Sequence, residues 1–317
     1  KAPITWDRFP AVRGSKNGLP VEDVDEDLLE SIRANGACFK GTLFTPLSAT
    51  NTSTQSYNVR LRKELDLGVS VVQGVCLPGV PTRHAGVNIV IIRENTEGEY
   101  SGLEHEVVPD VVESLKVVTA EKSRRVAEYA FTWASLNNRK KIHVIHKANI
   151  MKLTDGLFIQ CAAEVAKKYE GIVDVDYHIV DNAAQQLVQR PTQYSALLMG
   201  NAYGAILGNI LAGIVGSAGL LPGANIGPGV AVFEQGARHV AQNIAGKGVA
   251  NPVAALLAIG MMLRHLHLPD FCDRLEAAVL GALAEEPASC KPPDIGGTGT
   301  TATLMKAIVD RLKEASV

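Results

Sequence analysis

Cysteine is scarce in this chain and poorly placed for cross-linking. The 317 residues hold five cysteines, at 38, 76, 161, 272 and 290. None is part of a C-x-x-C pair, and no histidine cluster has zinc-finger spacing. Thiols so widely spaced and odd in number are expected to be free, in a reducing compartment. An excess of one charge is missing too. The 31 Lys and Arg against 33 Asp and Glu leave a formal net charge of -2. With no basic stripe along the chain, a nucleic-acid-binding module is excluded. The most apolar stretch, "LLMGNAYGAILGNILAGIVGSAGLL", is interrupted by Asn201 and Asn209 and is rich in glycine. It reads as a buried strand and helix, so no membrane insertion is expected. No internal repeat or low-complexity linker is found. Neither G-x-G-x-x-G after a strand nor G-x-x-x-x-G-K-S/T occurs.

What is present is an ordinary globular balance, 46% hydrophobic and 20% charged, over a length that suggests about two domains. The start, "KAPITWDRF", has strand character and is not a targeting segment. Residues 18–35 read as a loop and then an acidic amphipathic helix. "GACFKGTLFTPL" reads as strand and turn, and "STQSYNVRLRKELDLGVSVV" as helix and then strand. "GVNIVIIREN" is apolar from Val87 to Ile92, as a strand covered on both faces would be. "AEKSRRVAEYAFTWASLNN" is a helix with Val126, Ala130 and Trp133 on one stripe. "KKIHVIHKAN" is a strand. "LTDGLFIQCAAEVAKKY" is a helix capped by Thr154 or Asp155. "VDVDYHIVDNAAQQLVQRP" is strand then helix, and "YSALLMGN" is a further strand. "NPVAALLAIGMMLRHLHL" and "TATLMKAIVDRLKEA" are closing helices. Strands and helices alternate, so the class is α/β with a mostly parallel sheet.

In such sheets the chemistry gathers where strands end and helices begin. Arg93 is the first polar side chain after six apolar ones. It is expected to emerge at the edge of the sheet, suited to bidentate capture of a carboxylate. Tyr100 follows within a charge-dense stretch that could equally be a solvated loop, and could donate a proton. Lys147 ends a strand and could polarise a hydroxyl, or could be an ordinary surface lysine. Asp181 stands at a strand–helix junction, where helix capping is the simpler role. Ser56, Asn58 and Arg62 form an anion-binding set near a helix, while Arg60 and Lys63 could be a solvated face. The Gly-rich stretch "GANIGPGVAVFEQGARHVAQNIAGKGVANP" reads as a loop able to approach a nucleotide closely. Ala205 and Asn209 lie four apart on one helical face. A metal-using enzyme would place carboxylates on that face, and here it carries a methyl group and a neutral amide.

Together, "IIRENTEGEYSGLEHE", "VVESLKVVT", "HKANIMKLTDGLF", "IVDNAAQQLV", "GKGVANP" and "DIGGTGTT" resemble the metal-dependent β-decarboxylating dehydrogenases, the isocitrate/isopropylmalate dehydrogenase family. Within it they resemble the regulatory, non-catalytic subunits of NAD-dependent isocitrate dehydrogenase. The resemblance runs over nearly the whole chain. It implies a two-domain α/β fold that is not a Rossmann fold, with residues 1–67 and 217–317 forming a large, nucleotide-side domain. Residues 68–216 would form a small domain with the dimer interface. Family members begin with a strand and a "GDGIG"-type turn. This chain opens at what resembles the second strand, "PITW", so the N-terminal strand is expected to be missing from it.

The resemblance also implies roles. The family holds isocitrate with a hydroxylated side chain and three arginines. Ser56, Arg62 and Arg93 match those positions, Asn58 lies in the same effector-binding set, and the remaining arginine position falls at Val72. Tyr100 matches the tyrosine that protonates the decarboxylated intermediate. Two aspartates on one helix, in a "YGDILSD"-like segment, hold Mg²⁺ or Mn²⁺ in catalytic members, and here they are Ala205 and Asn209. Mg²⁺ needs carboxylate oxygens in near-octahedral geometry, so this site is expected to be lost. Lys147 and Asp181 match groups that each subunit lends to its neighbour's site, a catalytic lysine and a metal-binding aspartate, and both are retained. The cofactor loop reads "GARHVAQNIAG" in place of "HGTAPDIAG". It leaves Arg238, His239 and Asn251 as nucleotide-side candidates. The implied protein is a mitochondrial-matrix subunit in the oxidation of isocitrate to 2-oxoglutarate and CO₂ in the tricarboxylic acid cycle. Its partner would be a catalytic subunit carrying NAD and Mg²⁺ or Mn²⁺, in a heterodimer or higher oligomer. This chain would bind citrate and AMP or ADP as allosteric effectors. Two other outcomes stay open. One is a structural subunit of a larger mitochondrial assembly with no ligand. The other is an active dehydrogenase with a rebuilt metal site, for which Glu234 is the distant carboxylate available.

Overall fold

A computed structural model of the chain describes residues 2–9, 25–43, 57–237 and 239–314. Among these, α1 (Glu26–Asn35), β1 (Ala37–Phe39), α2 (Tyr57–Glu64), β2 (Val69–Val75) and β3 (Asn88–Glu94) come first. A hairpin, β4 (Glu104–Val108) and β5 (Val111–Ser114), precedes α3 (Ala120–Leu136), β6 (Lys141–His146), α4 (Thr154–Ala166) and β7 (Asp174–Ile179). Then follow α5 (Val180–Gln189), β8 (Ala196–Met199), α6 (Asn201–Ile214), β9 (Pro222–Gly227) and β10 (Val230–Gln235). The helices α7 (Val253–His265), α8 (Pro269–Glu285) and α9 (Thr301–Glu314) close the order.

One sheet of eight strands runs β1-β10-β9-β2-β3-β8-β6-β7. The pairings β1–β10, β3–β8, β6–β8 and β6–β7 are parallel. Those of β9 with β10 and of β2 with β3 and β9 are antiparallel. Alternation along β3 sets the two layers. Val90 and Ile92 pack with Val126, Phe131 and Phe158 of α3 and α4. Ile89 and Ile91 point the other way, onto Leu187 of α5 and Leu207 and Leu211 of α6. Both faces are therefore buried, which is why the strand is apolar at successive positions. A separate helical core joins α7, α8 and α9 through Leu263, Val279, Leu283 and Leu304. Another seats α1 and α2 on β10.

Several expectations need correction. "PITW" is not a strand. Residues 2–9 hold no strand, and Ala2 and Ile4 pack against the C-terminal helices instead. Residues 223–235, read as part of a loop, form the hairpin β9–β10 together with Pro222. Gly223 serves close packing within the sheet, since a Cβ there would lie 2.8 Å from the Gly236 Cα and 3.2 Å from the Val71 carbonyl oxygen. Helix α8 was not anticipated. Neither Thr154 nor Asp155 caps α4, whose cap residue Leu153 brings no side-chain bond. Asp181 does not cap α5 either, because it lies inside the first turn.

Candidate functional site

The strands β3, β8, β6 and β7 run parallel and end at one edge of the sheet, and their last residues carry the candidate groups. Arg93, next to last in β3, does not emerge there. It is only 7% exposed, and its Nε and one terminal nitrogen donate to Oδ1 of Asn201 at 3.0 and 2.7 Å. Asn201 is the first residue of α6, and its amide donates in turn to the Glu97 carbonyl at 2.7 Å. Gly204 makes room for the arginine stem, since a Cβ there would meet the Arg93 Cδ at 2.5 Å.

The segment carrying Tyr100 is not a plain solvated loop. Glu94 is buried and accepts from the backbone N–H of Thr96 and of Glu97. Glu97 accepts from the Thr119 N–H at 2.8 Å and its hydroxyl at 3.0 Å. Burial raises the Glu97 carboxyl above its usual range, the Thr119 bonds oppose that, and Glu94 adds to it. These anchors hold Tyr100 exposed, with the Arg93 guanidinium carbon 5.7 Å from its ring centre. Tyr100, Ala205 and Asn209 then line one shallow, open hollow with Ile206 and Ile210.

The face of α6 in that hollow does not fit a divalent cation. Ala205 offers no ligand, and the Asn209 amide nitrogen is turned back onto the Ala205 carbonyl at 2.8 Å. Hard cations are bound through carboxylate oxygens, and α6 contains no aspartate or glutamate. Glu234 does not rebuild the site, because it is buried on β10 and engaged by Lys40 and by the Asn225 amide. Val72 lies in the apolar core with Leu207 and Leu211.

Two strands further out, Lys147 follows β6 and Asp181 opens α5. Their side chains meet at 2.7 Å. The hydrogen bond from Lys147 holds the Asp181 carboxyl below its usual range, against a smaller opposing effect of desolvation. Asp155, expected as a helix cap, instead positions the lysine. Its buried carboxylate accepts from the Lys147 N–H at 2.6 Å, from Lys116 at 2.7 Å and from the Tyr203 hydroxyl at 2.9 Å. Burial and the bond to Asp155 push the Tyr203 phenol up to about 12. With strands about 4.8 Å apart, the β6 end lies on the order of 10 Å from the β3 end.

The remaining candidates lie elsewhere. Asn58 and Arg62 are half-buried on α2, where the Asn58 amide donates to the Leu43 carbonyl and accepts from Lys40. Asn251 has both ends of its amide in use, donating to Asp294 at 3.0 Å and accepting from the first N–H of α7 at 3.0 Å. The His239 ring accepts from the Ala241 N–H. Ser56 and Arg238 lie outside the described residues.

Residues 10–309 match the isocitrate/isopropylmalate dehydrogenase family, and the chain belongs to that family. It is 51% identical over 314 residues to isocitrate dehydrogenase (NAD) regulatory subunit 1, mitochondrial, of Arabidopsis thaliana, covering 98% of this chain and 82% of that one. It is 48% identical to isocitrate dehydrogenase (NAD) subunit gamma 1, mitochondrial, of Rattus norvegicus, over 96% of this chain and 76% of the other. Among solved structures, isocitrate dehydrogenase from Methylococcus capsulatus superposes with a TM-score of 0.87 at 40% identity, over 94% of this chain and 87% of that one. The expected fold class, an α/β architecture around a largely parallel sheet, agrees with that structure.

Proposed function

We propose that this chain is a regulatory, non-catalytic subunit of a mitochondrial NAD-dependent isocitrate dehydrogenase. In this reading it lends Lys147 and Asp181 to the active site of a catalytic partner, with Asp181 a metal ligand only in trans. NAD and Mg²⁺ or Mn²⁺ act in that partner. One observation carries the reading. The α6 face offers a methyl group and a folded-back amide, while the Lys147–Asp181 pair is intact at 2.7 Å. A group that serves no turnover in its own subunit is explained if it serves a neighbour. The names of the relatives, which are subunits of a mitochondrial NAD enzyme, support the same assembly and compartment.

The reading extends to effectors and to the interface. Arg62, Arg93, Ser56 and Asn58 would hold citrate, with Tyr100 beside them. The segment from Arg238 to Asn251 would admit AMP or ADP. Residues 1–67 and 217–317 would form the nucleotide-side domain and residues 68–216 the interface domain. Support for a docked neighbour comes from β4 and β5. Every residue of that two-stranded hairpin is exposed, including Val107, Val108, Val111 and Val112. Isolated hairpins are marginal in water, and open edges invite pairing. Effector binding would then couple to the neighbour reciprocally in free energy.

The test is isocitrate-dependent NADH formation by the purified complex with Lys147→Ala in this chain alone. Loss of a positioned proton-transfer group costs on the order of 100-fold or more in kcat. A fall of that size in an assembly of unchanged mass supports lending. Unchanged rate and unchanged citrate and nucleotide responses would leave the structural-subunit alternative in its place.

A further inference from the structure

We propose that His143, Asp176 and His178 form a binding site for a divalent first-row transition metal, with Zn²⁺ the best match, at the outer edge of the main sheet. The strand register builds it. His143 on β6 stands opposite Asp176 on β7, and His178 lies two residues further along β7, on the same face. One potential ligand atom from each of the three lies within 4.8 Å of the others. Nε2 of His178 is 3.7 Å from Oδ2 of Asp176. Zinc–ligand bonds near 2.0–2.1 Å place tetrahedral neighbours about 3.3 Å apart. Small side-chain rotations on two paired strands close the remaining gap.

The surroundings favour a metal over a plain hydrogen-bonded cluster. His143 is 4% exposed, and its Nδ1 is buried with no hydrogen-bond partner. A buried polar atom without a partner is costly and calls for an occupant. The buried His143 imidazole would ligate a metal in its neutral form. The Tyr194 hydroxyl lies 3.1 Å from Nδ1 of His178. With that nitrogen donating to the phenol oxygen, Nε2 is left with its lone pair toward Asp176. Tyr194 is itself buried, its ring edge-on to His143 at 4.8 Å between centres. Oδ1 of Asp176 accepts from the Tyr177 N–H at 2.9 Å, which leaves Oδ2 for a cation. A competing charge is Lys141, 3.7 Å from the same oxygen on a side chain nearly half exposed. Two imidazoles and one carboxylate give three protein ligands, with water as the fourth.

The experiment uses the full chain, stripped with chelator and titrated with Co²⁺ as the spectroscopic stand-in for Zn²⁺. The expected result is one equivalent of Co²⁺ with the strong visible absorption of a tetrahedral site, displaced by Zn²⁺. His178→Gln and Asp176→Asn, both at positions with solvent access, should each weaken binding about 100-fold or more, and Tyr194→Phe about tenfold. Their metal-free melting curves serve as the folding control. Asp181→Asn should leave the band unchanged, which separates this site from the family's. No stoichiometric band, or one that survives both ligand substitutions or disappears with Asp181→Asn, would overturn the assignment.

Discussion

Two ends of the same strand edge present different chemistry. At β3 and α6 the helix carries no carboxylate, and Asn209 is bonded to its own turn. At β6 and α5 the lysine and the aspartate remain paired, and Asp155 ties the lysine backbone to α4 and α6. Keeping a lysine in place takes a buried carboxylate with three donors around it. Buried polar groups support both ends, Arg93, Glu94, Glu97 and Asn201 at the first and Asp155 at the second, and the second presents the Lys147–Asp181 ion pair.

Three changes would break or sharpen this contrast. The largest effect is expected from Ala205→Asp with Asn209→Asp, which puts two carboxylates back on one helical face. A Mn²⁺ site of about millimolar affinity, about 4 kcal/mol of binding, should appear by electron paramagnetic resonance titration. If no Mn²⁺ is taken up, the face is closed by more than those two side chains. Next comes Asp155→Asn. It leaves Lys116 with Glu99 at 3.1 Å as its remaining ion-pair partner, and disturbs the Lys147 backbone. A loss of about 3 kcal/mol in chemical denaturation is expected. A loss under about 0.5 kcal/mol would mean that Asp155 is not the anchor described here.

The smallest effect is a titration. The Asp181 carboxyl is held below its ordinary 3.8 by Lys147. A carboxyl lowered on folding adds stability that is fully present above its unfolded value and is lost as pH falls through the folded one. For so exposed a group the contribution is small. It is best read as a carbon chemical shift titrating below 3.8 in the native chain and returning toward 3.8 in Lys147→Ala. An unchanged midpoint would show that the pair does not persist in solution.

Much of this edge was legible in the sequence. The uninterrupted apolar run of β3 and the strand endings at Lys147 and Asp181 come from periodicity and junctions, which are local. What was hidden is non-local. Asp155 looks like a helix cap by position and becomes an anchor only because β6, α4 and α6 meet around it. Asn201 looks like the start of a helix and turns out to hold Arg93. Glu94 and Glu97 look solvated by composition and are buried scaffolding. Gly223, Gly227 and Gly229 imitate a loop, although the first two lie in a strand whose backbone packs closely. Helix α8 is rich in alanine, which blurs the contrast between its faces. The facing of His143 and Asp176 depends on register, and no single strand contains that.

The β4–β5 hairpin has a consequence for the life of the chain in a cell. Its exposed valines and unpaired edges offer the features that proteases and holding chaperones select. On the proposed docking, a copy without a neighbour would display that ribbon continuously, and a docked one would hide it. Matched production of the subunits would then be enforced by turnover of the surplus, with the hairpin as the mark of an unassembled copy.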